Sequence, residues 1–338
     1  MAAIPGISLS AARAAGKEPA VLKYLIKRIA VSLVVLIGIT FLVYWISTLM
    51  DGSPASLLIT PDMTVEQVEE LEQSMGLDQP VLVRYWTWLV NFFKGNLGTS
   101  YNYRMPVTDL IAERLKPTLI LTLSALVVAV LIAIPAGTLA AYKPYSIFDY
   151  AFSGISFLGA ATPAFFMGLL VIYIFGLVLG ILPTSGMHAV GDESLGSYIR
   201  YAILPVGTLA FGLLGSLIRQ TRSAVLEVMN EDFIRTDRAQ GYGEGRVIIH
   251  ALRNALIPIV TSIGNMVPFL IGGSMVVETT FGYPGIGRLM TSSITARDYP
   301  VIVSITTLIA VAVLATNIVV DIIYTLLDPR VTHTKKSR

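Results

Sequence analysis

The chain has 338 residues, 54% of them hydrophobic and 14% charged, with 24 Lys and Arg against 22 Asp and Glu for a formal net charge of +2. Its mean hydropathy of +0.71 lies far above that of a soluble domain, whose apolar share is about 45–50%, so an all-α membrane protein is expected. Cysteine is absent, which excludes disulfides, thiolate metal sites and a cysteine nucleophile; no nucleic-acid partner is expected.

A hydrocarbon core of roughly 30 Å needs about 20 apolar residues as a helix, because lipid offers the backbone no hydrogen-bond partners. Six segments qualify, near 29–49, 118–141, 154–181, 203–220, 256–277 and 302–327, and the alternation of a β-barrel is missing. Residues 1–28 form an N-terminal segment. The run from Ile29 to Leu49 is longer than a signal-peptide core and no Ala-x-Ala site follows, so it reads as a retained anchor.

Residues 50–113 form an insertion after the first span. In "TVEQVEELEQSMG", Thr64 and Gln67 make a capping box, and Gly76 stops a short acidic helix. The next stretch, "VLVRYWTWLVNFF", crowds Tyr85, Trp86, Trp88, Phe92 and Phe93 before Lys94. Rings with an apolar body and a polar tip favour the headgroup level, so an interfacial helix on the outer leaflet is expected; the alternative reading of the same rings is a carbohydrate-stacking site.

Residues 114–327 carry the other five spans. Pro163, Asn265 and Pro268 interrupt apolar runs, either to line a path or simply to kink helices. Between the fourth and fifth spans lies a polar loop, 221–255, with "EDFIRTDRAQ" favouring helix and Glu231 placed four residues before Arg235 for an ion pair. Gly241, Gly243 and Gly245 then break it. Arg246, His250, Arg253 and Asn254 line one face of a following amphipathic helix under the membrane, Ile248, Leu252, Ala255 and Leu256 another, and Pro258 opens the fifth span. The glycines match neither Gly-x-Gly-x-x-Gly nor Gly-x-x-x-x-Gly-Lys, so a folded loop made for a protein partner is preferred to a phosphate site.

If the amino terminus is cytoplasmic, the inner segments hold Arg13, Lys17, Lys23, Lys27, Arg28, Lys143, six arginines from Arg219 to Arg253, and Arg330, Lys335, Lys336 and Arg338, which is 16 of the 24 cations. The polar loop, both termini and the tail 328–338 are then cytoplasmic. On the outer side, Glu278 precedes "FGYPGIG", where Pro284 and the glycines predict a turn or re-entrant element near the outer mouth. Asp321 is an ionisable residue inside the last span and so a functional candidate. His188 and His333 lack a second ligand at useful spacing, and Ser185 with His188 lies in an outer loop.

The loop resembles that of permease subunits of binding-protein-dependent ABC importers, in the oligopeptide and dipeptide (peptide and nickel) branch. The matching residues are Arg235, Thr236, Asp237, Arg238, Ala239, Gln240 and Gly241, followed by "HALRNALIP". "LKYLIKRI", "MGLDQPVLVRYWTWL", "GNLGTS", "ERLKPTL", "VVETTFGYPGIGRLM", "ARDYPVI" and "DIIYTLLDPR" extend the likeness from about residue 21 to 331. The resemblance implies a type I ABC importer permease fold of six transmembrane helices with an extracellular insertion, as a B-type subunit. It implies a coupling helix at Glu231, Asp232, Phe233 and Arg235 to Gly241 that docks on an ATPase subunit, and an outer gate near Glu278 and Pro284.

Implied partners are a homologous second permease, two ATPase subunits carrying ATP and Mg, an extracellular solute-binding protein and membrane lipid. The chain itself would bind no cofactor or metal and catalyse nothing, in the plasma membrane of a bacterium or archaeon. Short peptides are the implied cargo, with nickel or oligosaccharides as alternatives within the same architecture. Asp237 stands where the motif has a small residue, and its carboxylate is expected to pair with a partner's cation or a neighbouring arginine. Asp321 falls in the recurrent tail motif, which implies a structural role. An ion-coupled transporter would carry several buried ionisable residues; an intramembrane enzyme would need a Ser/His or Asp pair or a zinc motif inside the spans, and none is present.

Overall fold

The computed structural model describes the backbone of residues 18–49, 55, 59–60 and 62–327, and side chains from residue 28 to 320 apart from Phe269 and those gaps. Arg13, Lys17, His333 and the tail cations lie outside the described residues, as do the side chains of Lys23, Lys27 and Asp321. Among the described residues, secondary structure is helical, with two isolated bridges, Thr99 with Pro106 and Ala189 with Asp192, and no strand.

Helices α1 (Glu18–Thr48), α4 (Val107–Tyr142), α7 (Leu195–Met229), α9 (Glu244–Thr280) and α11 (Tyr299–Leu327) are long and apolar enough to cross a membrane. The run at 154–181 is different. It is split between α5 (Ile147–Ala161) and α6 (Ala164–Val178, its second half a π-helix), which meet at 107°. Pro163 causes the break: it heads α6, lacks an amide proton, and excludes Thr162 from the helical region, so Thr162 sits extended at φ −89°, ψ 121°. Five single helices and one bent pair therefore make up the apolar set.

The core forms where α7 packs along α4, with α5 and α9 against its other sides. Ala125, Ala129, Ala133, Ala136 and Ala140 put small side chains on one face of α4 and are buried. Close helix approach is what such residues permit in lipid, where dispersion and shape drive association. At Gly137 an added Cβ would stand 2.7 Å from Thr221 Cβ and 2.8 Å from the Ile218 carbonyl oxygen, so only hydrogen fits. Asp149, buried at the start of α5, receives a two-pronged ion pair from Arg222 on α7, with Nε to Oδ1 at 2.6 Å and Nη2 to Oδ2 at 2.8 Å.

The insertion carries α2 (Val65–Ser74) and α3 (Val81–Phe93). The capping box forms at Thr64: its hydroxyl accepts from the Gln67 amide at 3.3 Å, and the Gln67 side chain accepts from the Thr64 amide at 2.9 Å. A loop at 94–106 then returns to the end of the bundle where α11 begins. It is held by Asp298, buried at the start of α11, whose carboxylate accepts from the Ser100 hydroxyl and from the Tyr101 and Asn102 amides, both at 3.2 Å. Burial there pushes the Tyr101 phenol up to about 12.

Candidate functional site

Two regions carry the candidate residues, one at each end of the long helices. The polar loop folds as a tight hairpin of α8 (Asp232–Ala239) against the first turns of α9. α8 ends at Gln240, where the Gly241 amide bonds the Arg238 carbonyl at 3.0 Å and the Tyr242 amide bonds the Asp237 carbonyl at 3.1 Å. This Schellman closure requires a left-handed residue, and Gly241 has φ +80° with nothing within 4 Å of an added Cβ. The turn is thus a backbone requirement and not a steric one.

Hydrophobicity holds the hairpin closed. Ile234 is fully buried with Val247 and Ala251, and Val228, Met229 and Tyr242 cover that cluster. Polar contacts surround it. Arg238 reaches Glu244, Nε to Oε1 at 3.1 Å, and the Arg246 guanidinium lies 4.3 Å from the centre of the Tyr242 ring. Glu231, Asp232, Phe233, Arg235, Thr236, Ala239, Gln240 and Gly241 remain exposed, so α8 presents a free outer face.

Three details differ from the sequence reading. Asp237 meets His250 and not a neighbouring arginine; its Oδ2 lies 2.9 Å from His250 Nδ1, because the turn folds α9 back beside α8. Arg235 contacts Asp232 at 3.4 Å, one turn away, in place of Glu231, which is the residue before the helix. The amphipathic segment after Gly243 is also no separate helix. It continues through Pro258 and Pro268 into the fifth span as α9, with Val247, Ala251 and Ala255 as its buried face; Ile248 and Leu252 are half-buried and Leu256 is exposed.

At the other end, Glu278 sits in the last turns of α9, fully buried. "FGYPGIG" turns the chain, with the Tyr283 amide bonded to the Glu278 carbonyl at 2.8 Å, and a short helix α10 (Ile286–Ala296) follows. α10 starts at Gly285 with no side-chain cap of its own. Glu278 takes that place: its Oε2 accepts from the Arg288 amide at 3.0 Å, while Oε1 accepts from the Thr118 hydroxyl at 2.7 Å. Thr118 Oγ1 in turn accepts from the Ile286 amide at 2.8 Å. A carboxylate at a helix N-terminus satisfies orphan amides and meets the positive end of the dipole.

The approach depends on glycine. A Cβ on Gly285 would overlap Glu278 Cδ and Thr118 Oγ1, and one on Gly287 would stand 2.9 Å from Glu278 Oε2. Pro284 is half-buried in the turn, Tyr283 is buried with its phenol pushed up to about 12, and the Arg288 guanidinium donates to the Gly282 carbonyl at 2.6 Å. α10, α9 and α4 are thus locked at one point. Glu278 and Pro284 belong to this lock; Pro163 heads α6, exposed Asn265 and half-buried Pro268 lie lower on α9, and none of the three joins it. Thr118 and the pairing of Asp298 with Ser100 were missed by sequence reasoning, since each joins segments more than 150 residues apart.

Among the described residues no group of three or more His, Asp or Glu could hold a metal. The chain is thus a helical membrane protein with a folded hairpin at one end of its spans and a locked turn at the other, and the comparisons place it among transport permeases. The chain belongs to the binding-protein-dependent transport system inner membrane component family, whose model matches residues 133–333, and the family's N-terminal model matches residues 21–122. It is 41% identical over 313 residues to the oligopeptide transport system permease protein AppB of Bacillus subtilis, covering 92% of this chain and 99% of that one. Identity is 39% over 318 residues to the glutathione transport system permease protein GsiC of Escherichia coli, with 92% and 99% covered. A putative peptide permease of Brucella suis is 36% identical over 315 residues, again with 92% and 99% covered. Among solved structures, an inward-facing MetNI methionine ABC transporter chain aligns with a TM-score of 0.53 at 18% identity, covering 65% of this chain and 96% of that one. That likeness shows the fold, the type I ABC importer permease fold.

Proposed function

We propose that the chain is one of two homologous permease subunits of an ATP-driven importer, and that it passes short peptides delivered by an extracellular solute-binding protein. Two ATPase subunits carry ATP and Mg, and this chain catalyses nothing. The observation that carries this reading is the hairpin: Ile234 and the turn at Gly241 hold α8 rigidly on α9, while Phe233, Arg235 and Thr236 face outward. A rigid element continuous with a span can pass a push from a partner into the membrane, and a chain without a phosphate cradle must receive its work that way. The hairpin and both termini then lie in the cytoplasm, and Glu278, Pro284 and α10 form an outer gate. The peptide cargo rests on relatives named as oligopeptide, glutathione and peptide permeases.

The test uses the chain's lack of cysteine. Thr236→Cys, in the chain co-expressed with its ATPase subunits, is expected to crosslink over a short reach to an ATPase subunit, and the crosslink to slow uptake of labelled short peptides. Reaction of that thiol with impermeant reagents from outside intact cells, or normal peptide uptake without any contact to the ATPase, overturns the coupling role. Uptake of nickel or an oligosaccharide in place of peptide overturns the cargo alone.

A further inference from the structure

Helix α3 lies deeper than its aromatic content suggests. The Tyr85 hydroxyl donates to the Ile37 carbonyl at 3.1 Å and lies 2.9 Å from Thr40 Oγ1, and the Tyr85 ring packs edge-on against Phe41 and Tyr44. Ile37 is eleven residues before the end of α1 at Thr48, about 16 Å along the helix at 1.5 Å per residue. The apolar part of α1, Arg28–Thr48, is 21 residues and so about 31 Å long, the thickness of one hydrocarbon core. Tyr85 therefore anchors α3 to the middle of a span. The level of the outer end is marked independently by α11, since Tyr299 and Pro300 line the same cavity as Ser47 and Thr48.

The faces of α3 sort accordingly. Tyr85 and Leu89 are buried. Arg84, Thr87, Trp88 and Asn91, at helical spacing, line a cavity of about 580 Å³ between the insertion and the outer ends of α1 and α11, which Tyr44 lines too. On the third face Leu82, Val83, Trp86, Val90 and Phe93 are exposed, Trp86 by 65%. This apolar stripe continues that of α1, where Val34, Ile37, Ile39, Leu42 and Ile46 are exposed along a membrane span. A 13-residue apolar helix is too short to cross a bilayer and suits a re-entrant segment. Its one cation faces the cavity and not the stripe, as buried charge in a membrane requires.

We propose that α3 is a half-inserted helix whose Leu82, Trp86 and Val90 face contacts the acyl chains of the outer leaflet, so that it walls a polar vestibule off from lipid. The occupant of that face is lipid because α3 is anchored to α1, which exposes Val34, Leu42 and Ile46 along the same span, and because the face is apolar but for the Trp86 indole N–H, a group that suits the headgroup side of a leaflet.

Single cysteines at Leu82, Trp86, Val90 and Asn91, spin-labelled in the full chain with its copurifying subunits, decide the matter in phosphatidylethanolamine and phosphatidylglycerol vesicles. Labels at Val35, Ile39 and Ile46 calibrate depth and one at Val65 calibrates water. For Leu82, Trp86 and Val90 the expected ratio of collisions with oxygen to collisions with a water-soluble nickel complex falls between the ratios at Ile39 and Ile46. Asn91 is expected to favour nickel. If Trp86 and Val90 match Val65, α3 lies in water and the proposal fails; if both reagents are excluded, protein covers the face and it fails equally. Should Trp86→Cys not fold, Leu82→Cys and Val90→Cys carry the test.

Discussion

The two ends of the molecule are built on opposite plans. The lock joins Glu278 to Thr118, 160 residues away, and Ile286 to Thr118, 168 away, around a fully buried carboxylate. The hairpin is assembled from contacts six and thirteen residues apart, Arg238 with Glu244 and Asp237 with His250, and most of its surface is open. Distant, buried polar contacts make a joint that is either fully formed or broken, because each released group is left without water. Local, exposed contacts make a unit that can move as a body without dissolving, since its polar groups find water wherever it goes.

The comparison breaks first at the lock. Gly285→Val drives side-chain carbon into Glu278 Cδ and Thr118 Oγ1, and a loss beyond about 4 kcal/mol is expected, in the exceptional class of core overpacking. Thermal unfolding of the purified chain in detergent, followed by tryptophan fluorescence, checks this. Glu278→Ala is expected to cost about 3 kcal/mol, since the Arg288 amide and Thr118 hydroxyl lose a charged acceptor in a buried place. Glu278→Gln keeps the shape and is expected to cost about half as much on the same assay.

Effects at the hairpin should be local. Ile234→Ala empties its small core, at about 2–4 kcal/mol, yet the expected reading is faster amide exchange confined to 231–247, with the unfolding of the spans unmoved. A drop in the global transition would show that the hairpin and the bundle form one cooperative unit. Gly241→Val costs about 1–2 kcal/mol through its left-handed backbone alone; transport is expected to fall more than basal ATP hydrolysis in the reconstituted complex. Arg235→Ala removes only a fully solvated contact with Asp232, and no change in stability is expected by the same denaturation assay.

These differences follow what a sequence can show. The capping box at Thr64, the break at Pro163 and the turn at Gly241 are short-range, so residue types within a few positions announce them. The partner of Asp237 required knowing how tightly the turn folds back: a neighbouring arginine was the nearer charge in sequence, and His250 the nearer one in space. Arg222 was counted only as a cytoplasmic cation, although it closes on Asp149. Glu278 stood out as a carboxylate before a glycine-rich turn, but Thr118 carries no signal next to Pro117, because any of many hydroxyls on α4 could have met it.

By itself the sequence determined that this is a multi-pass helical membrane protein, because each span must satisfy its backbone internally and match lipid by its own composition. It announced the short helix and sharp turn of the polar loop too, through the glycines from Gly241 on. Tertiary structure alone decided that the segment at Pro163 bends by 107°, that α3 rests against the middle of α1, and that Glu278 caps a helix other than its own. Those outcomes depend on which surfaces meet across long stretches of chain, and many surfaces of similar apolar composition could meet; close approaches such as those at Gly137, Gly159, Gly215, Gly285 and Gly287, where a single methyl group would not fit, help select the pairing that forms.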